Sequence, residues 1–270
     1  MTIVWNFPPF SPDARGTKLK SYAIKDRDNG EQSLLLCCAD EHFAQVVALM
    51  GDACYESKLT PKGMQDWTHS LRFPRGVPDY LPPFLDLLID TVTLGSREGI
   101  NIGMSVDWHK EQNDEGYLVN TDMGRRIQFT KYAKYPSGSG SRQAWRELIA
   151  SMAEFIRRHP FYAWTKVITS PPGHNADGNS FGEQLARAVA KATDKAYIEM
   201  TAAGPRPEQK EAGQRDLSDE FTLSQRINEP IIIIDDVFHT GATLDAAAQA
   251  ARRAGATEVM TLTATRTLRK

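Results

Sequence analysis

The sequence has few cysteines, no excess of charge of one sign and no long apolar run, and each absence argues against a class of protein. Its cysteines are Cys37, Cys38 and Cys54, and no two have the C-x-x-C spacing of a zinc ribbon. Lys and Arg number 32 against 34 for Asp and Glu, so no net basic field favours non-specific nucleic-acid binding. No apolar run is long enough to span a bilayer.

The first ten residues lack the basic start and apolar core that define a signal peptide. Together with the low, odd number of cysteines, this predicts reduced thiols and a cytoplasmic location. The 41% hydrophobic and 24% charged residues are typical of a globular protein, and 270 residues suffice for one large domain or two modest ones.

The N-terminal half is predicted to mix helices and strands. Residues 33–38 suit a buried strand, and Asp40 can begin a helix that Gly51 ends. A second helix is expected to begin at Pro82 and to end at Gly95. Residues 100–107 and 117–121 are predicted to pair as a hairpin across the turn-forming residues 113–116.

Beyond the Gly/Ser-rich residues 135–141, helices and strands alternate. Strands are predicted at residues 166–169, 196–200, 231–234 and 259–265, and helices at residues 145–156, 181–191 and 243–253. Ser180 is a candidate N-cap residue for the second of these helices. Strands separated by such helices require crossover connections, so the C-terminal half is predicted to be α/β with a mostly parallel sheet covered on both faces.

The most informative segment is residues 230–244. Four consecutive isoleucines, residues 231–234, describe a strand buried on both faces, followed by Asp235 and Asp236. Ligands of open α/β sheets bind outside the carboxyl ends of the strands. Two carboxylates there could accept hydrogen bonds from vicinal hydroxyls, such as those of a ribose.

His239, Thr240, Gly241, Ala242 and Thr243 follow and lead directly into a helix. Free backbone N–H groups, two threonine hydroxyls and the helix dipole would together favour a bound phosphate. Carboxylates followed by such a loop indicate a site for a phosphorylated ribose. A strand, a polar turn and a capped helix without any ligand remain the alternative, because every α/β protein contains them.

These residues resemble the signature of type I phosphoribosyltransferases, which bind 5-phosphoribosyl 1-diphosphate (PRPP). The resemblance implies that Asp235 and Asp236 contact the ribose hydroxyls and that residues 240–243 hold the 5′-phosphate. It extends more loosely from about Phe129 to the C-terminus and looks closest to the ComF-like branch at residues 132–135, 170–173 and 181–187, and at Gln209, Arg215 and Phe221. It therefore implies a phosphoribosyltransferase-like domain over residues 129–270, preceded by an α+β hood or accessory domain over residues 1–128. ComF-like proteins often carry a cysteine-rich zinc element there, and this chain does not.

The same resemblance implies two further binding segments. Ser170, Pro171, Pro172 and Gly173 begin the expected diphosphate-binding loop, and residues 204–219 correspond to a mobile loop that closes over PRPP. The candidate ligand-binding side chains in this second loop are Arg206, Lys210 and Arg215. For both loops, a surface connection without function is the alternative.

His239 stands where the family more often has Thr or Asp. Its imidazole could donate to the diphosphate or act as an acid or base, or it could be a loop histidine without a catalytic role. His109 and His42 lack partners at metal-ligand spacing and are not expected to bind metal.

The resemblance implies a magnesium-dependent phosphoribosyltransferase that transfers the phosphoribosyl group of PRPP to a nitrogen acceptor. Mg²⁺ would be held through the ligand's diphosphate, with Asp235 and Asp236 as candidate protein ligands. Two alternatives remain: a non-catalytic nucleotide or PRPP sensor of ComF-like type linked to DNA processing or regulation, and a phosphoribosyl hydrolase. The acceptor and the oligomeric state stay open, with a homodimer as one alternative.

Overall fold

The computed structural model describes residues 18–131, 138–205 and 219–268. These divide into two compact units, the first ending at Ser96 and the second beginning at Arg97. This division differs from the sequence-based boundary between residues 128 and 129, because residues 102–108 form a strand and residues 122–131 a helix that pack with the C-terminal half.

The first unit contains an antiparallel sheet with the strand order β1-β2-β4-β3. Its strands are β1 (Ser21–Asp26), β2 (Gln32–Cys37), β3 (Tyr55–Glu56) and β4 (His69–Phe73), and a short strand β5 (Val92–Thr93) follows. The helices are α1 (Asp40–Met50) and α2 (Leu81–Asp90), with 3-10 turns at Gly51–Ala53 and Gly63–Gln65. The strand and helices predicted for this region therefore correspond to β2, α1 and α2.

The second unit is built on a parallel sheet with the strand order β10-β9-β13-β14-β6. The strands are β6 (Ile102–Trp108), β9 (Val167–Thr169), β10 (Ala196–Tyr197), β13 (Ile231–Phe238) and β14 (Val259–Arg266). The flanking helices are α3 (Asp122–Lys131), α4 (Ser139–Arg158), α5 (Pro160–Trp164), α6 (Phe181–Ala192) and α7 (Ala242–Arg253). The predicted α/β class is thus confirmed. No helix among the described residues is both long and apolar enough to cross a bilayer.

The central strand β13 begins with a fully apolar run. Residues 231–234 of β13 are 0% exposed, as expected of a strand that is covered on both faces. β14 lies beside β13 in register along its whole length, from Ile231 opposite Val259 to Phe238 opposite Arg266. This long pairing extends β13 four residues beyond the predicted strand and positions the polar residues that follow the isoleucines.

The predicted hairpin was wrong in its first strand. Residues 117–121 do contain a hairpin strand, β8 (Leu118–Asn120), but its partner is β7 (Lys110–Gln112). The strand predicted at residues 100–107 corresponds to β6, which pairs in parallel with β14. β7 is polar and exposed, so it has no apolar pattern by which it could be recognised.

The predicted strand at residues 196–200 is also divided. Its beginning is β10 in the parallel sheet, and its end starts β11 (Met200–Ala202), which pairs antiparallel with β12 (Phe221–Leu223).

Candidate functional site

Asp235 and Asp236 lie inside the last half of β13, whereas the strand predicted from the sequence ended at Ile234, directly before them. Asp235 is in register with Thr263 of β14, and the pairing continues to Phe238. Asp236 is buried at 7% exposure, and Asp235 is half-buried. Both carboxylates are therefore held by a rigid strand near its carboxyl end.

The carboxylate of Asp235 lies against the next backbone amide and against α6. The N–H of Asp236 donates to Asp235 Oδ1 at 2.9 Å, and a Cβ atom added to Gly182 in α6 would lie 3.0 Å from the same oxygen. Burial, followed by the charge of Asp236, raises the pKa of Asp235 to about 7. This carboxyl group can therefore change its protonation state near neutral pH.

The carboxylate of Asp236 has a different environment. Its Oδ1 accepts a hydrogen bond of 2.8 Å from the N–H of Val237, and its Oδ2 forms an ion pair with Lys131 at the end of α3. The Lys131 ammonium also lies 5.9 Å from the centre of the Phe181 ring. The paired acids thus have the ammonium group of a lysine beside them, which the sequence did not indicate.

His109 follows β6 at the same edge of the sheet. Its Nδ1 lies 3.1 Å from the hydroxyl of Thr265. Burial lowers the pKa of His109, the charge of Lys110 lowers it further, and Asp236 opposes the shift. These influences favour a neutral imidazole, which can accept as well as donate a hydrogen bond.

The loop between β13 and α7 leads directly into a helix, as the sequence predicted. Gly241 is buried and has φ = +87°, a left-handed conformation that glycine adopts without strain. α7 begins directly after it, at Ala242, whose N–H donates to Thr240 Oγ1 at 3.4 Å. Thr243 is half-buried in the first turn of the helix. The first-turn amides of a twelve-residue helix thus follow the carboxylates by a few residues.

His239 is exposed, and its Nδ1 lies 3.3 Å from the hydroxyl of Thr267. It therefore lies in the loop between the paired acids and α7, as the sequence placed it.

The loop that follows β9 is anchored on the start of α6. The Ser170 hydroxyl lies 2.8 Å from the hydroxyl of Tyr197, and Pro171 and Pro172 are buried. The N–H of Gly173 donates to Glu183 Oε2 at 3.2 Å. β9 and β13 are adjacent parallel strands, so this loop and the aspartates lie at the same edge of the sheet.

The predicted cap at the start of α6 is confirmed. The Ser180 hydroxyl accepts from the N–H of Glu183 at 3.3 Å, and Glu183 Oε2 accepts from the N–H of Ser180 at 2.9 Å. This reciprocal capping box fixes the end of the loop. Because Glu183 also holds Gly173, a single buried carboxylate ties the loop to the helix.

Several predicted residues lie outside the described part of the chain. They are residues 132–135 together with Arg206, Gln209, Lys210 and Arg215. Phe221 is described and lies buried in β12.

Comparison with known proteins gives similarity at the level of solved structures. The adenine phosphoribosyltransferase from Leishmania tarentolae is 20% identical over 47% of this chain and 60% of that chain, with a TM-score of 0.33. The orotate phosphoribosyltransferase from Aeropyrum pernix is 16% identical over 57% of this chain and 71% of that chain, with a TM-score of 0.31. A hypoxanthine phosphoribosyltransferase from Staphylococcus aureus is 12% identical over 44% of this chain and 60% of that chain, with a TM-score of 0.30. No family model and no curated protein matches the sequence.

Proposed function

We propose that the second unit binds a phosphorylated ribose such as PRPP and transfers its phosphoribosyl group to a nitrogen acceptor. The observation that carries the proposal is the arrangement on β13 and α7. Two adjacent carboxylates, Asp235 and Asp236, lie in the second half of the buried central strand β13, and the left-handed Gly241 precedes the helix that follows. Carboxylates can accept hydrogen bonds from sugar hydroxyls, and the amides at a helix N-terminus favour a phosphate.

Each group has a definite task in this proposal. Asp235 and Asp236 accept hydrogen bonds from the ribose hydroxyls, and the backbone N–H groups of residues 241–243 receive the 5′-phosphate. The loop that begins with Ser170 and Gly173 binds the diphosphate. Catalysis then rests on positioning the acceptor and on neutralising the charge of the leaving diphosphate.

The ammonium group of Lys131 would help to neutralise the charge of a bound diphosphate. This group lies beside the carboxylate pair, so a bound diphosphate would meet a cation as well as two acids. The neutral form of Asp235, populated below about pH 7, would further reduce repulsion between the protein and an anionic ligand.

The carboxylates of Asp235 and Asp236 fit Mg²⁺ only if the phosphates of a bound ligand supply further oxygen ligands. Among the described residues, no group of three or more His, Cys, Asp and Glu side chains could hold a metal ion. Mg²⁺ nevertheless often binds through one or two carboxylates together with substrate phosphates. Asp235 and Asp236 would supply those carboxylates, and the ion would neutralise diphosphate charge.

Diphosphate release from PRPP tests the activity. The purified full chain is incubated with PRPP, Mg²⁺ and a panel of purine bases, pyrimidine bases and amines. The proposal expects release that depends on one acceptor and is lost in the double variant Asp235→Asn/Asp236→Asn. The matched control is Asp194→Asn, an exposed position with φ = +54° where Asn is tolerated.

The remaining outcomes of the same assay identify the rivals. Release without any acceptor indicates a hydrolase. No release, from a protein that binds PRPP in a calorimetric titration, indicates a sensor. Release that persists in the double variant contradicts the assignment of the site.

A further inference from the structure

Arg97 holds the loop in front of α7 through its guanidinium group. Nε donates to Asp245 Oδ1 and Nη2 to Asp245 Oδ2, each at 2.5 Å, which makes a bidentate ion pair. Nη2 also donates to the backbone carbonyl of Thr240 at 3.0 Å. The Arg97 side chain is 21% exposed and that of Asp245 is 32% exposed, so water only partly screens the pair.

Gly241 leaves the space that this guanidinium occupies. A Cβ atom at Gly241 would lie 2.2 Å from Cζ and 2.4 Å from Nη2 of Arg97. The guanidinium carbon also lies 5.3 Å from the centre of the Phe238 ring. Arg97 therefore contacts three successive parts of the chain between β13 and α7: the Phe238 ring, the Thr240 carbonyl and Gly241.

The hydrogen bond from Arg97 to the Thr240 carbonyl fixes the direction in which the backbone N–H of Gly241 points. In a trans peptide the C=O of one residue and the N–H of the next point in opposite directions. Because Arg97 binds the Thr240 carbonyl, the N–H of Gly241 is turned away from Arg97. The guanidinium thus sets the orientation of the first amide of the proposed phosphate site.

Asp245 gives Arg97 a second task. Asp245 lies in the first turn of α7, where a carboxylate stabilises the helix but repels any anion bound at the same end. The bidentate pair with Arg97 neutralises that charge. Without Arg97, the phosphate would be bound next to an uncompensated carboxylate.

We infer that Arg97 is a positioning residue of the phosphate site: it orients the Gly241 amide and neutralises Asp245. The inference rests on the proposed function, since it takes a phosphate as the ligand of residues 241–243.

Calorimetric titration with ribose 5-phosphate tests this inference in four forms of the full chain. Relative to wild type, Arg97→Ala is expected to bind about tenfold more weakly, the loss typical of one charge-assisted contact. Arg97→Ala/Asp245→Asn is expected to regain a few-fold of that affinity, because the repelling charge is removed. A purely structural role for Arg97 would give no such recovery, since the double variant has lost both partners. Arg253→Ala removes an arginine at the far end of the same helix, paired with an exposed Asp219, and serves as the control with wild-type affinity.

The outcomes separate this inference from the proposed function. Failure of the wild type to bind ribose 5-phosphate overturns both. Wild-type binding that is unchanged in Arg97→Ala, or that does not recover in the double variant, overturns only the role of Arg97. If Arg97→Ala does not fold, Arg97→Lys is measured instead; it keeps the charge but cannot form the fork to Asp245 and Thr240 together. Its affinity is then expected to fall, and wild-type affinity would contradict the inference.

Discussion

Lys131, the last residue of α3, forms an ion pair with Asp236 in β13, 105 residues further along the chain. Its charge also lowers the pKa of Asp235, against the larger opposite effects of burial and of Asp236. One lysine therefore lies beside a pair of adjacent carboxylates and partly offsets the rise in the pKa of Asp235.

Replacing this lysine should affect both stability and protonation. In Lys131→Met, Asp236 loses its partner while it remains buried, so the free energy of unfolding is expected to fall by about 1–2 kcal/mol; the one-third exposure of Lys131 keeps the loss below that of a fully buried pair. The pKa of Asp235 should rise further. Urea unfolding at pH 8 measures the first effect, with the exposed Lys191→Met in α6 as control. Equal losses in the two variants would contradict the account.

The raised pKa of Asp235 predicts how stability depends on pH. A carboxyl with a pKa near 3.9 in the unfolded chain and about 7 in the folded chain binds more protons when folded between these values. Its stabilising contribution is complete below about pH 4 and is lost as the pH rises to about 7. The free energy of unfolding of the wild type, compared with Asp235→Asn, should thus fall by at most about 1.4 kcal/mol per pH unit in this window. Parallel pH curves for the two proteins would show that Asp235 titrates normally.

Replacing Gly182 is expected to affect the position of the Asp235 carboxylate more than the stability of α6. Gly182→Ala adds a Cβ atom 3.0 Å from Asp235 Oδ1, which pushes the carboxylate away. The gain in helix propensity, about 0.5–1 kcal/mol, opposes the cost of this contact. We therefore expect near-unchanged thermal stability together with weaker binding of ribose 5-phosphate. Lys191→Ala in the same helix should leave binding unchanged, and wild-type binding by Gly182→Ala would argue against Asp235 as a ligand-binding group.

Glu183 is predicted to control the loop that follows β9. Glu183→Ala removes the acceptor of the Ser180 and Gly173 amides, so it should lower the free energy of unfolding by about 1–3 kcal/mol. Amide hydrogen exchange at Gly173 should become faster. Ser180→Ala, which keeps the Glu183 carboxylate, is the comparison that should leave Gly173 protected. Unchanged exchange in Glu183→Ala would mean that other contacts hold the loop.

Some elements could be predicted from the sequence because their structure depends only on residues close to them in the chain. The isoleucines at residues 231–234 predicted a strand covered on both faces. The predicted cap at Ser180 also depends on a near neighbour, because its partner Glu183 lies three residues later. The alternation of strands and helices likewise requires a parallel sheet.

The remaining features depend on partners far away in the chain. β13 continues through Asp235 and Asp236 because β14 pairs with it up to Arg266, and no residue near the aspartates encodes that pairing. Lys131 and Arg97 reach the site across more than a hundred residues. A single lysine or arginine in a sequence does not reveal which loop or carboxylate it will meet.

The most direct test of the central proposal is calorimetric titration of the full chain with PRPP, with and without Mg²⁺. We expect PRPP binding that strengthens with Mg²⁺ in the wild type and is abolished in the folded variant Asp235→Asn/Asp236→Asn. A folded wild-type protein that does not bind PRPP, or a double variant that binds it with wild-type affinity, would contradict it.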